Sequence, residues 1–168
     1  MPLFLDRLPF HYWQDQTRKP PLGYWTVVLP VLLTEPHLPA APSGQVPQPW
    51  VLDTGNRGEG FAWRHHLIQA GLDPDRGRLA RPAAITAAVG GKILVPVCPA
   101  DLWLVSNLPG SPPGPFRIPL QRGLPFQDVP SLPDPNFQRP LIGIRALRAA
   151  GLQVEIDFGR DTVSVWIP

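Results

Sequence analysis

The tripeptide Asp53-Thr54-Gly55 is the part of this sequence whose residue types and spacing are best suited to chemistry. It ends an apolar run, residues 50–52, so the Asp53 carboxylate stands where a buried strand turns into a loop. A carboxylate in such a place is poorly solvated, and its ionisation depends on the groups that face it. The small Thr54 and Gly55 allow a sharp turn and leave room for a second copy of the same loop to approach. If a second copy did approach, the two Asp carboxyl groups could share one proton, and such a pair can activate a water molecule.

The segments after the tripeptide must position it, and their patterns follow a consistent order. In that order they predict a short helix closed by a glycine, a hairpin around a glycine pair, an apolar-apolar-glycine segment leading into a second helix, and a strand. These four segments are residues 64–72, 85–95, 140–147 and 152–158.

This succession resembles the retropepsin-like aspartic proteases of clan AA, a single-domain family that has bacterial members. The resemblance covers roughly residues 24–167, and its strongest element is the pair of segments 52–55 and 141–143 at about the usual separation. It implies a mainly β, closed-barrel-like acid protease fold with one or two short helices. It also implies an endopeptidase that hydrolyses peptide bonds with an activated water.

Family roles transfer to individual residues of the tripeptide and of the later glycine segment. The resemblance implies that Asp53 is catalytic and that Thr54 hydrogen-bonds across a dimer, with Gly55 supporting the loop. It implies that Gly143 packs close under this loop, where a side chain would not fit. Asn56 follows the tripeptide where the best-known members have Ala or Ser, at a position that lines the floor of the cleft.

The hairpin pattern occupies the position of the family's flap, which closes over bound peptide. The resemblance therefore implies a substrate-binding segment whose residues are Thr86, Ala87, Ala88, Val89, Gly90 and Gly91. The alternative interpretation is an ordinary surface hairpin.

One copy of the tripeptide per chain requires a partner chain if the protein is a protease. Of the ten aspartates, Asp53 alone lies in an Asp-Thr-Gly or Asp-Ser-Gly context. The resemblance implies a homodimer in which Asp53 faces its mate and the last strand, residues 162–167, closes the dimer. Two alternatives stay open: a catalytically inactive relative that acts as a peptide-binding or dimerisation module, and a scaffold that merely keeps the fold.

Composition and charge argue against binding to nucleic acid, to a membrane or to a metal. A net charge of +2 with scattered basic residues provides no patch for nucleic acid. The longest apolar run, residues 25–33, is too short to span a bilayer, and no targeting segment is convincing, so we expect a cytoplasmic protein with no membrane partner. No cofactor or metal is expected, because His65 and His66 are interpreted as a solvated helix face. The single Cys98 is interpreted as a half-buried strand residue.

Two regions depart from the family pattern. Residues 1–23 lack clear periodicity and are interpreted as an irregular N-terminal extension of a domain that spans residues 24–168. Residues 109–140 contain a dense run of prolines and are interpreted as a long surface insertion. We expect the extension to pack on its own subunit and the insertion to border the cleft. The alternative is that both are mobile linkers.

Glu59 and Gly60 are interpreted as turn residues.

Overall fold

A computed structural model describes most of the chain, and its architecture is mainly β. The described residues are 1–15, 19–55, 58–76, 79, 81–86, 91–109, 114–128 and 138–168. Within these ranges the chain forms thirteen strands and two short helices. The predicted mainly β class with one or two short helices is therefore confirmed.

Most strands belong to one large sheet. In chain order the elements are β1 (Leu3–Asp15), β2 (Leu22–Thr34), β3 (Gln48–Asp53), β4 (Gly60–Trp63), α1 (Arg64–Gln69), β5 (Ala83–Thr86), β6 (Lys92–Val95), β7 (Val97–Cys98), β8 (Asp101–Leu104), β9 (Phe116–Pro119), β10 (Leu124–Gln127), β11 (Leu141–Gly143), α2 (Ile144–Ala149), β12 (Gln153–Asp157) and β13 (Thr162–Trp166). The spatial order is β12-β13-β1-β2-β3-β11-β4-β10-β7, with β8 pairing with both β2 and β9. Strands β5 and β6 form a separate two-stranded sheet.

The large sheet is open in the described part of the chain. Its path ends at β12 on one side and at β7 on the other, and these two strands do not pair with each other. The closed barrel implied by the resemblance is therefore not found among the described residues.

The N-terminal segment is a long strand, so its interpretation as an irregular extension was wrong. Strand β1 pairs with β13 through its first half and with β2 through its second half. Phe4 and Leu5 are both completely buried although they are consecutive, because the β1–β13 register shifts on either side of Leu5. Such bulges interrupt the alternation of inward and outward side chains from which a strand is recognised. The expectation that this segment packs on its own subunit is confirmed.

The proline-rich region also contains strands of the main sheet. Strand β9 pairs with β8, and β10 pairs with β4 and β7. Ile118, Leu124 and Phe126 are buried, so this part of the region contributes to the core rather than forming a surface insertion. Residues 110–113 and 129–137 of the same region lie outside the described residues.

The C-terminal hairpin, β12–β13, pairs with β1 of the same chain. Strand β13 lies between β12 and β1, and the alternating Val163 and Val165 are fully buried. Both edges of β13 are paired within the chain, so it offers no free edge to a partner strand. Closure of a dimer by this strand stays a prediction.

Each helix is followed by a glycine, as the sequence predicts for the first of them. Gly71 follows α1 with φ +80° and Gly151 follows α2 with φ +74°, a left-handed conformation that glycine adopts without strain. Cys98, on β7, is buried, and burial raises the pKa of its thiol, so it is a packing residue. Among the described residues, no helix has the length and apolar content needed to cross a membrane.

Candidate active site

Asp53 is the last residue of β3 and lies at the boundary between the core and the surface. Trp50 and Leu52 point into the core and are buried, whereas Val51 and Asp53 alternate with them and are half-buried. Thr54 and Gly55, which follow, are exposed. The strand therefore delivers the carboxylate to a loop that faces outwards in a single chain.

The loop backbone holds the Asp53 carboxylate. The Gly55 N–H donates a hydrogen bond to Asp53 Oδ1 at 3.0 Å, while Oδ2 accepts none from the described residues. A Cβ added to Gly55 would lie 3.4 Å from Oδ1, which is near the limit of ordinary contact. The Gly55 N–H thus fixes one oxygen of the carboxylate, and a Cβ at this position would fit without displacing it. Residues 56 and 57, and with them the predicted floor position Asn56, lie outside the described residues.

The two segments that carry the family resemblance lie side by side. Strand β11 pairs in parallel with β3, and the register places Gly143 beside Asp53 and Ile142 beside Leu52. The Gly143 N–H donates to the carbonyl of Glu59 at 3.0 Å, which ties β11 to the chain just after the Asp53 loop. The predicted proximity of Gly143 to the loop is confirmed; the claim that a side chain there would not fit stays a prediction.

Gly60 is a close-approach glycine that the sequence interpretation missed. Strand β4 pairs antiparallel with β11, and a Cβ on Gly60 would lie 2.8 Å from the backbone oxygen of Leu141. No real Cβ tolerates that distance, and the obstacle is backbone rather than a movable side chain. Gly60 therefore allows β4 to lie against the strand that flanks Asp53. In the sequence it is indistinguishable from a turn glycine.

Glu59 is also more than a turn residue. It is only 6% exposed, and its Oε2 accepts a hydrogen bond from the Arg122 N–H at 2.9 Å. Its backbone carbonyl binds Gly143, as described above. Glu59 thus connects the turn between β9 and β10 to the strand beside Asp53. In the sequence it is a charged residue between two glycines, a pattern that does not predict this role.

The histidine pair does not form a solvated helix face, which corrects that interpretation. His66 is 8% exposed, and its Nδ1 accepts a hydrogen bond from the Trp63 N–H at 3.2 Å. Burial, followed by the neighbouring His65, lowers the pKa of His66 to about 4, so the ring is neutral at pH 7. The two rings lie 3.9 Å apart. In the part of the chain that the structure describes, no group of three or more potential ligands could hold a metal ion.

These histidines line a cleft of about 250 Å³ together with Gln48 and Arg139. Gln48 begins β3 and Asp53 ends it, so the cleft lies towards the end of this strand opposite the carboxylate. The cleft is thus separate from the Asp53 loop.

The predicted flap is a hairpin apart from the main sheet. Strands β5 and β6 pair antiparallel, with Thr86 opposite Lys92, and Gly91 has φ +85°. The hairpin itself is confirmed. Residues 87–90, which include Ala87, Ala88, Val89 and Gly90, lie outside the described residues, and substrate binding by this hairpin stays a prediction.

Trp13 lies near the Asp53 end of β3, and the side chain of Arg139, which also lines the cleft, contacts its ring. Strand β2 runs antiparallel to β3 with Val28 opposite Val51, so Thr26 is the next residue on that face in the direction of Asp53. Trp13 Nε1 donates to Thr26 Oγ1 at 2.6 Å, and the Arg139 guanidinium lies 4.3 Å from the centre of the Trp13 ring. The sequence contained no sign of this group, because its members come from three distant segments.

Comparison of the chain with protein-family models finds no match, and comparison with curated proteins finds none either. Any assignment of chemistry therefore depends on the residues and geometry described above.

Proposed function

We propose that this protein is a homodimeric aspartic endopeptidase of the retropepsin-like type. The observation that carries the proposal is the position of Asp53 at the end of a strand, with one carboxylate oxygen bound by the Gly55 N–H and Gly143 alongside in a parallel strand. The sequence order of the Asp-Thr-Gly loop, helix, hairpin and Leu-Ile-Gly segment gives additional support. A retropepsin-like fold and a cytoplasmic location belong to the same proposal.

The chemistry needs two carboxyl groups and no cofactor. In the dimer the two Asp53 side chains share one proton, because two carboxylates held this close do not both ionise. The ionised group takes a proton from a water molecule, whose oxygen bonds to the scissile carbonyl carbon while the protonated group donates its proton to the carbonyl oxygen. The Asp53 that took the water proton then gives it to the amide nitrogen, the other Asp53 takes a proton back from the tetrahedral diol, and the carbon–nitrogen bond breaks to leave a carboxyl group and an amine.

The exposure of the loop in one chain supports the requirement for a second copy. Thr54 and Gly55 are exposed in the single chain, as a loop that meets its own copy must be. Thr54 would then bind across the dimer and hold both loops in place.

Cleavage of a diverse peptide library at several pH values tests the proposal. Asp53→Asn should abolish cleavage while the protein stays folded and dimeric, because the substitution preserves shape and removes the base. Asp73→Asn is a matched control: Asp73 Oδ1 accepts a hydrogen bond from the backbone two residues later, at 3.0 Å, as Asp53 does, and an Asn oxygen can do the same. Cleavage retained by the Asp53 variant would refute the assignment. Peptides bound but never cut would favour the inactive peptide-binding module.

A further inference from the structure

Asp53 shares one face of the large sheet with a row of half-buried apolar side chains. The row crosses the neighbouring strands β2, β3, β11 and β4, and its successive members lie directly beside one another. In that order they are Val28, Val51, Leu141 and Phe61, and we call them the apolar row. Asp53 follows Val51 by two residues, so its side chain lies on the same face, about 7 Å further along the strand. The carboxylate thus stands beside an apolar strip against which an extended peptide can lie.

Arg139 lies across the apolar row from Asp53. It precedes Leu141 by two residues, and Leu141 is paired with Val51. The Val51 N–H donates a hydrogen bond to the Pro140 carbonyl at 2.9 Å, so the chain still runs alongside β3 just before β11 begins. Four residue steps therefore separate the positions of Arg139 and Asp53, which corresponds to about 13 Å along the strands.

The Arg139 side chain lies over the face of the sheet that Asp53 occupies. Its guanidinium is 4.3 Å from the centre of the Trp13 ring. Trp13 Nε1 donates to Thr26 Oγ1, and Thr26 alternates along β2 with the buried Val27. Because Thr26 is thus on the outer face, the Trp13 ring and the guanidinium against it are on that face too.

The positive charge of Arg139 is not matched by a carboxylate within the described part of the chain. Arg64, at the start of α1, forms ion pairs with two aspartates, whereas the half-buried Arg139 forms none with the described residues. Burial lowers the pKa of both His65 and His66 in the adjoining cleft, so these rings add no positive charge at pH 7. The contact with the tryptophan ring uses the charge of the guanidinium but none of its five N–H donors. Arg139 is therefore equipped to bind a carboxylate that comes from outside the chain.

We propose that Arg139 selects peptide substrates that carry an acidic side chain close to the scissile bond. This inference rests on the proposed function, in which the scissile carbonyl lies at Asp53. An extended peptide advances about 3.3 Å per residue, so about 13 Å corresponds to four residues. An aspartate or glutamate within that distance meets the guanidinium, which binds a carboxylate through two parallel N–H···O bonds. In the symmetric dimer each copy supplies one Arg139, so the preference applies on both sides of the scissile bond.

Attraction to Arg139 outweighs repulsion from the Asp53 pair. The two carboxyl groups share one proton and so carry one negative charge. A separation of about 13 Å exceeds the Debye length of about 8 Å at physiological ionic strength, so this repulsion is largely screened. A carboxylate in hydrogen-bond contact with the guanidinium is not screened in this way, and such charge-assisted bonds are about twice as strong as neutral ones.

Cleavage of a diverse peptide library, followed by matched peptides, tests the inference. Cleaved sequences are synthesised with Glu, Gln or Lys at each position within four residues of the scissile bond. At one or more of these positions the wild type should show a kcat/KM about tenfold or more higher with Glu than with Gln. Arg139→Gln should remove this difference, and Arg139→Glu should reverse it in favour of Lys.

Arg160→Gln is the matched control. Arg160 is an exposed arginine in the turn between β12 and β13, and β13, β1 and β2 separate that hairpin from β3. Thermal unfolding of each variant shows that the fold is retained. In a second measurement the library is passed over immobilised Asp53→Asn protein, with and without Arg139→Gln, and the retained peptides are sequenced.

A preference for Glu that is lost in Arg139→Gln, reversed in Arg139→Glu and kept in Arg160→Gln supports the inference. A wild type that treats the Glu, Gln and Lys peptides alike overturns it, and that comparison needs no variant. An equal loss of activity on all three peptides in Arg139→Gln also overturns it, because a purely structural role would have that effect.

The failure of this inference is distinguishable from the failure of the proposed function. Cleavage without a preference for acidic peptides leaves the endopeptidase standing and overturns the role of Arg139. Retention of acidic peptides that depends on Arg139, without cleavage by the wild type, refutes the endopeptidase and leaves charge-selective peptide binding standing. Peptides that are neither cut nor retained overturn both.

Discussion

Gly143 lies beside Asp53 in the parallel pairing of β11 with β3, and its N–H is bound by the carbonyl of Glu59. Strand β11 is in turn paired on its other edge with β4, whose first residue is Gly60. The carboxylate is therefore positioned by a short strand that is held on both sides. Disturbing either side of β11 should change the position of the Asp53 loop without touching the carboxylate itself.

Gly60→Ala is expected to destabilise the protein and slow any peptide cleavage. The new Cβ would meet the Leu141 oxygen at 2.8 Å, and because that atom is backbone, β4 and β11 must separate. Overpacking of this kind costs about 1–3 kcal/mol in the free energy of unfolding. Urea denaturation measures the change. Gly114→Ala is the control, because a Cβ there meets nothing within 4 Å, and it should change stability by less than about 0.5 kcal/mol. Equal stability of the two variants would contradict the argument.

Two substitutions at Glu59 distinguish the stability that its hydrogen bond contributes from the stability that its charge contributes. Glu59→Ala leaves the Arg122 N–H without its acceptor and should lower the free energy of unfolding by about 1–3 kcal/mol. Glu59→Gln keeps an oxygen at the same place and should cost clearly less. Both are measured by urea unfolding, with the cleavage rate as a second readout of loop position. If the two variants lose the same stability, the hydrogen bond to Arg122 is not the cause.

His66 should make the protein less stable in mild acid. The pKa of His66 falls from about 6.5 in the unfolded chain to about 4 in the folded one, so the unfolded state binds the proton first as the pH falls. The contribution of neutral His66 to the free energy of unfolding is complete above about pH 6.5 and is lost as the pH falls towards 4. At pH 4 the free energy of unfolding is lower by about 3 kcal/mol than at pH 7. Urea unfolding at pH 7 and at pH 4 measures it.

His66→Gln provides the comparison for this pH dependence. A glutamine oxygen can accept the Trp63 N–H that His66 Nδ1 accepts, but it does not titrate. The stability of this variant should therefore decline less between pH 7 and pH 4 than that of the wild type. His65→Gln should keep most of the decline, since His65 is more exposed. A decline that is unchanged in the His66 variant would rule out His66 as its source.

Local patterns in the sequence were sufficient for the segments whose structure is decided within a few residues. The strand that ends at Asp53, the glycines that end α1 and α2, and the β12–β13 hairpin all follow from periodicity and turn chemistry within their own segments. The order of these segments also anticipated that the Leu-Ile-Gly segment and the Asp53 loop belong together.

Features that depend on a distant partner were decided only by the tertiary structure. Phe4 and Leu5 became core because β1 pairs with β13 through bulges, which hide the strand pattern in the sequence. His66 is neutral at pH 7 because other segments bury it. Position 60 needs a glycine because the backbone of β11, far along the chain, passes within contact distance of it. The same holds for the sheet being open among the described residues, since closure depends on whether its two outermost strands meet. Burial and close approach are properties of segments brought together from afar, whereas the sequence by itself determines only the local conformation of each.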